Sequence, residues 1–131
     1  MKKKIFFIVA TFILVSTKVY SNNNVFIALT INDEILTNLD INQELSYLKI
    51  LNPQLKELEK EKIYNIAKNS LINEKIKKKE LIKFFRLDVE LSIINNIFED
   101  FYKSLGLSSV SEFEDVLLKN NTYTSQEIKE K

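Results

Sequence analysis

The chain has 131 residues, 45% of them hydrophobic, with 19 basic and 18 acidic side chains and a formal charge of +1. It has no Cys, no His and no Trp, and only one Gly and one Pro. These absences exclude a thiol nucleophile, a Ser-His-Asp triad, a Cys/His zinc site and a disulfide. A single Gly cannot build a P-loop or a dinucleotide-binding turn, so no metal and no cofactor are expected. An all-β fold is also disfavoured, because tight hairpins need residues that tolerate positive φ. The length allows one domain, and what remains is a helical domain that acts by surface and shape.

The first 21 residues read as an export signal. Lys2, Lys3 and Lys4 precede an apolar run, Ile5 to Val15, interrupted only by the hydroxyl of Thr11. The run fits the roughly 7–15 residues of a signal's apolar region and falls short of the ~20 needed to span a bilayer. Val19-Tyr20-Ser21 resembles a cleavage site, which places cleavage after Ser21 and the mature chain at 22–131. A site one or two residues further on is the alternative, and an uncleaved anchor is the competing reading. The signal carries four of the basic side chains (Lys2, Lys3, Lys4 and Lys18) and no acidic one, so the mature chain has a net charge of −3 before its termini. Such a chain lacks the basic footprint of a nucleic-acid binder. No stable membrane insertion is expected after cleavage.

Val25 to Ile31 is rich in β-branched and aromatic residues and predicts a strand. Asn32-Asp33 supplies a turn, and Glu34-Ile35-Leu36 returns as a short second strand. A lone hairpin is marginal, so it must lie on helices. Thr37, with Asp40 three residues on, has the spacing of a capping box and opens a helix from Asn38 to about Leu51. Ile41, Leu45 and Leu48 share its apolar face, and Pro53 ends it. A second helix is predicted over Leu55 to Phe84. It runs from acidic first turns (Glu57, Glu59, Glu61) to a basic end (Lys75, Lys77, Lys78, Lys79, Lys83), which suits the helix dipole. Ile63, Ile66, Ala67, Leu71 and Ile72 are its buried stripe. The lysine run reads as a solvated helix end, flanked as it is by Glu74 and Glu80.

Asp88 is a candidate cap for a third helix, whose stripe is Leu91, Ile94, Phe98, Phe101 and Leu105. Gly106 stands where a helix end needs left-handed backbone. Ser109 with Glu112 opens a fourth helix carrying Phe113, Val116 and Leu117, which Asn120-Asn121 stops. Thr124 with Glu127 opens a last one at Ser125. The expected fold is mainly α: a short N-terminal β-hairpin followed by a bundle of four to five helices. The early stop of the last helix predicts a domain incomplete at its C-terminus.

This order of parts, and the stretch Val25 to Ile41 (VFIALTINDEILTNLDI), resembles the opening of the N-terminal domain in the SurA family of periplasmic chaperones and parvulin-type peptidyl-prolyl isomerases. Leu51-Asn52-Pro53-Gln54-Leu55, the stretch Leu71 to Ile76 (LINEKI) and the stretch Gly106 to Phe113 are similar to later parts of that domain. The resemblance covers nearly all of the mature chain. It implies a SurA N-terminal-like fold, a periplasmic location in a Gram-negative bacterium, and an ATP-independent chaperone role on unfolded outer-membrane proteins or peptides. Family members continue into parvulin domains. The parvulin active site needs His, an acid or Cys, and aromatic residues, and with neither His nor Cys none of it carries over, so this chain is not expected to be an enzyme and no catalytic residue is assigned. The acidic groups Glu99-Asp100 and Glu112-Glu114-Asp115 read as solvated helix faces.

A holdase needs aromatic anchors that reach unfolded segments. Five aromatic side chains fall outside the best stripes and are the candidate client contacts: Tyr47, Phe84, Phe85, Tyr102 and Tyr123. For each of them ordinary packing is the default reading. The alternative function is a truncated remnant or accessory subunit of a peptidyl-prolyl isomerase that pairs with a companion chain, or with a second copy, through an uncovered apolar face.

Overall fold

The computed structural model describes residues 24–31, 33–84 and 90–131. The export segment, Asn32, Phe85 and the candidate cap Asp88 lie outside the described residues. The order is β1 (Ile27–Ile31), β2 (Glu34–Thr37), α1 (Asn38–Leu51), a 3-10 turn (Pro53–Glu57), α2 (Lys60–Phe84), α3 (Leu91–Ser104), α4 (Val110–Lys119) and α5 (Ser125–Glu130). The fold is mainly helical behind one antiparallel hairpin, as the sequence predicts.

The hairpin is shorter than expected at its start. Val25 and Phe26 lie outside β1, yet the pairing continues through a side chain. The Phe26 N–H donates to Asn38 Oδ1 (2.9 Å), the Asn38 N–H donates to the Phe26 carbonyl (3.1 Å), and the Asn38 amide group donates to the Asn24 carbonyl (3.1 Å). Asn38, at the first position of α1, thus stands in for a ladder partner. Ile31 opposes Glu34, Thr30 opposes Ile35 and Leu29 opposes Leu36. A register irregularity at Ala28 then brings Ile27 opposite Thr37.

Thr37 caps α1 as its spacing predicts. Its hydroxyl accepts from the Asp40 N–H at 3.3 Å, and the Asp40 carboxylate accepts from the Thr37 N–H at 2.6 Å. Two orphan donors at the helix start are satisfied in this way. After Leu51 the prediction of one helix from Leu55 to Phe84 needs correction. Pro53 starts a separate 3-10 turn, capped by the Asn52 side chain on the Gln54 N–H, and Leu58 is extended before α2 begins at Lys60. Proline fixes its own φ for a first helical turn and removes only a donor that would be orphaned there. The restart leaves Glu57 in the turn and Glu61 in the first turn of α2.

Two apolar clusters flank α1. Leu36, Ile41, Ala67 and Leu71 form one, with Leu29, Ile31, Leu45 and Leu48 against it. Tyr47, Phe98, Tyr102, Phe113 and Leu117 form the other, with Ile50, Phe101 and Tyr123 against it. Helix α1 therefore buries two faces: Ile41, Leu45 and Leu48 toward the hairpin and α2, and Tyr47 and Ile50 toward α3 and α4. On α2 the buried stripe is Ile63, Ala67 and Leu71, while Ile66 is exposed.

The second cluster is aromatic. Phe98 meets Phe113 edge-on at 5.6 Å between centroids, and Phe101 meets it at 5.8 Å. This is the geometry that ring quadrupoles favour. On α3 the buried residues are Phe98 and Tyr102, with Ile94, Phe101 and Leu105 half-buried and Leu91 exposed. The uniform stripe expected from Leu91 onward is thus buried only in its C-terminal half. Helix α4 follows by a short loop and is about 15 Å long against about 21 Å for α3, too short to cover it all.

Gly106 ends α3 with φ +80°. Its N–H reaches the Lys103 carbonyl, and the Leu107 N–H reaches Tyr102. Both are the hydrogen bonds of a Schellman ending. Asn121, at φ 48°, repeats the motif after α4, with the Thr122 N–H on the Leu117 carbonyl. Ser109 caps α4 as expected, although Glu112 reaches back to the N–H of Ser108 rather than that of Ser109. Thr124 and Glu127 form a complete capping box at α5.

Candidate functional site

Two features stand apart from ordinary packing: a buried carboxylate that holds the C-terminal segment, and apolar side chains left on the surface of well-formed elements.

The carboxylate belongs to Glu44, on α1 between its two apolar faces. It is 2% exposed. One oxygen accepts from the Ser70 hydroxyl of α2 at 2.7 Å. The other accepts from the Tyr123 hydroxyl at 2.8 Å and from Lys131 Nζ at 3.0 Å. Lys131 also pairs with Glu74 of α2 and stands over the Tyr123 ring, 4.3 Å from its centroid. The Thr122 hydroxyl adds a bond to the Gln43 carbonyl at 3.0 Å. A buried carboxylate is tolerable only with such partners, and among the described residues no buried side-chain polar atom is left without one.

Burial raises the pKa of both tyrosines beside this carboxylate. Tyr47 is pushed up to about 12, first by burial and then by the negative charge of Glu44 and Glu74. Tyr123 is raised further, by burial, by its hydrogen bond to Glu44 and by that group's charge. The two rings meet edge-on at 5.4 Å. A cleft of about 200 Å3 lies beside the anchor, with Leu36 and Leu71 at its floor and both acidic (Glu74, Glu127) and basic (Lys75, Lys78) groups along it. Its mixed charge selects no single ionic ligand. Among the described residues no group of three or more acidic side chains is placed to hold a metal ion, and no helix is long and apolar enough to cross a membrane.

Most of the exposed apolar residues fall in two stretches, with Leu58, Ile66, Val110 and Leu118 outside them. Val25, Phe26, Ile27, Ile35 and Leu39 surround the hairpin. Ile76, Leu81, Ile82 and Phe84 lie along the last turns of α2, and Leu91, Ile93 and Ile97 along the first turns of α3. Lys75, Lys77, Lys78, Lys79 and Lys83 are interspersed with the α2 residues of the second stretch and supply charge that favours solubility. Lys83 pairs with Glu80 at 2.6 Å, in keeping with a solvated helix end.

The five aromatic candidates are placed very differently. Phe84 is 77% exposed. Tyr47 and Tyr102 are buried in the aromatic cluster, and Tyr123 is half-buried against it. For these three the default reading, ordinary packing, describes their position, and a client would have to displace a core contact to reach them. Phe85 lies outside the described residues. Sequence reasoning missed Glu44 altogether: nothing local marks a helix glutamate whose partners stand 26, 79 and 87 residues away. The exposed apolar residues of α2 and α3 did leave a signal, since Leu81, Ile82, Ile93 and Ile97 are apolar positions outside the predicted stripes.

Comparison with models of protein families, with curated proteins and with solved structures finds no match for this chain.

Proposed function

We propose that this chain is an ATP-independent chaperone module of the periplasm, which holds unfolded outer-membrane protein segments by hydrophobic contact. The observation that carries the reading is the set of large apolar side chains exposed beside two buried apolar clusters, with Phe84 the most exposed aromatic ring among the described residues. Such surface is a cost to a protein that binds nothing. The likeness of Val25 to Ile41 to the opening of SurA-type chaperones supports it, as do the export signal read in residues 1–21 and a composition without Cys or His. On this reading the chain has no isomerase activity of its own.

The test is light scattering of an aggregating outer-membrane protein. The folded chain at several-fold excess should suppress the signal, and the double variant Ile82→Ser, Phe84→Ser should suppress it less while unfolding at the same temperature. No suppression by the folded parent chain would refute the reading.

A second reading is pairing with a companion chain or a second copy. It is favoured by Ile93 and Ile97, which are one helical turn apart and both exposed on α3. Sedimentation separates the two: a chain that remains monomeric at high concentration counts against self-pairing.

A further inference from the structure

The hairpin is a two-stranded sheet, so β1 has one ladder partner among the described residues. Alternate residues of an antiparallel strand turn their N–H and C=O groups away from the partner. Ile31 and Glu34 close a two-residue loop, and a closing pair exchanges its hydrogen bonds inward. The next pair, Thr30 and Ile35, therefore faces outward, and both side chains are exposed. Natural sheets blunt such an edge with Lys, Pro or an inward charge. Val25 to Ile31 carries none of these. The irregularity at Ala28 puts Ile27, opposite Thr37, on the same face as Thr30 and Ile35. Leu36 of β2, with Leu29 and Ile31 of β1, packs on α1 and α2, and Lys75 of α2 holds Glu34 at 2.7 Å, so one face of the hairpin is anchored while Ile27, Thr30 and Ile35 on the other are exposed.

We propose that β1 is a strand-addition site: an extended, uncharged segment with alternating apolar residues pairs along its outer edge, and its side chains pack on Ile27 and Thr30 of β1. This rests on the chaperone reading and names what such a module would select, namely segments already able to form strands. Main-chain bonds supply affinity that does not depend on sequence, and alternation supplies the preference. The size of the edge favours a peptide over a second copy. Five residues span about 17 Å, which with flanking side chains covers on the order of 300 Å2. A stable dimer needs about 800 Å2 from each partner. A short ladder is weak and reversible, which suits a client that must be released.

The probe is a peptide of about eight residues alternating Val and Thr, blocked at both ends. A second version carries N-methyl groups on alternate residues, which keeps the side chains and removes the donors of one edge. The unmethylated peptide should bind, should slow exchange of the Thr30 amide, and should lose at least about tenfold in affinity on methylation. Thr30→Pro should lower affinity similarly, and the peptide pair keeps the test independent of that variant's folding. Equal binding of both peptides, with Thr30 exchange unchanged, would overturn strand addition while leaving hydrophobic capture standing. Binding of neither peptide, with aggregation of outer-membrane protein still suppressed, would also overturn it. A dimer that protects Thr30 before peptide is added would assign the edge to a second copy instead.

Discussion

Replacing Glu44 by Gln tests how the C-terminal segment is held. The substitution keeps the shape of the side chain and one carbonyl oxygen, which can still accept from Ser70. It puts an amide donor where Tyr123 and Lys131 now donate to Oε2, at 2.8 and 3.0 Å. A hydrogen bond to a charged group contributes about 1.5–3 kcal/mol. Tyr123 can recover part of its bond by turning its hydroxyl to accept from the amide. Lys131 loses one of two carboxylates and keeps Glu74, so the cost stays below the 3–5 kcal/mol or so of leaving a buried charge unpaired. Removal of a buried charge offsets a further part. The expected loss is about 2 kcal/mol, or roughly 8–15 °C in Tm for a domain of this size.

The assays are denaturant unfolding followed by circular dichroism, and amide exchange. Exchange should quicken at Ile128 and Lys131, whose N–H groups close the short α5 on Thr124 and Glu127, before it quickens at the Phe113 amide of α4. In a double-mutant cycle Glu44→Gln and Tyr123→Phe should be non-additive, because both remove the same bond. A loss under about 0.5 kcal/mol, or additive effects, would show that apolar packing of Tyr123 and Ile128 alone holds the segment and that the carboxylate is incidental.

Phe113 is fully buried among Phe98, Phe101 and Tyr102, so Phe113→Ala should cost about 3–5 kcal/mol and expose α3 to limited proteolysis; an unchanged denaturant midpoint would contradict the packing. Gly106 has open space where a Cβ would stand, yet φ +80°, so Gly106→Ala should cost about 1–2 kcal/mol from backbone strain alone, and Gly106→Asn less; equal stability of the three would refute a left-handed ending. The raised pKa of Tyr47 and Tyr123 means that the fold favours their neutral form; the resulting contribution is fully present below the ordinary tyrosine value near 10 and is lost as pH rises toward about 12 for Tyr47. Their phenolate absorbance should therefore appear together with loss of helix, and Tyr47→Phe should move the alkaline midpoint upward. Glu34 is held below the usual carboxylate range by its hydrogen bond to Lys75 and that group's charge. Its contribution is thus present at neutral pH and lost as pH falls through its lowered value. Lys75→Gln should remove that acid-side dependence, as followed by NMR titration of Glu34.

Local chemistry was readable in the sequence. Thr37, Ser109 and Thr124 cap helices because a hydroxyl within three residues of the N–H it accepts needs no distant partner. Gly106 and Asn121 likewise end helices by backbone geometry alone. The break between Asn52 and Lys60 was not legible as a restart: Pro53 forbids continuation of α1 but says nothing of where α2 begins. Leu58, an apolar residue that reads as helix interior, is extended there. The stripe of α3 was misread at Leu91 for another reason. Periodicity reports which residues share a face, and coverage of that face depends on the length of α4.

The same distinction explains why the binding surface was harder to locate than the fold. An aromatic residue off a predicted stripe is a candidate for contact only where its helix buries a single face. Helix α1 does not meet that condition. It lies between two clusters, so Tyr47, off the stripe of Ile41, Leu45 and Leu48, is interior to the other cluster, and Tyr102 and Tyr123 are drawn in beside it. Between those two faces of α1 lies Glu44, buried with partners from α2 and from the C-terminal segment. With α1 between the two clusters and α4 shorter than α3, the far turns of α2 and the near turns of α3 are exposed among the described residues. The burial of Tyr47 and Tyr102 and the half-burial of Tyr123 follow from one arrangement, the placing of α1 between the two clusters, and leave Phe84 as the exposed one of the four described candidates.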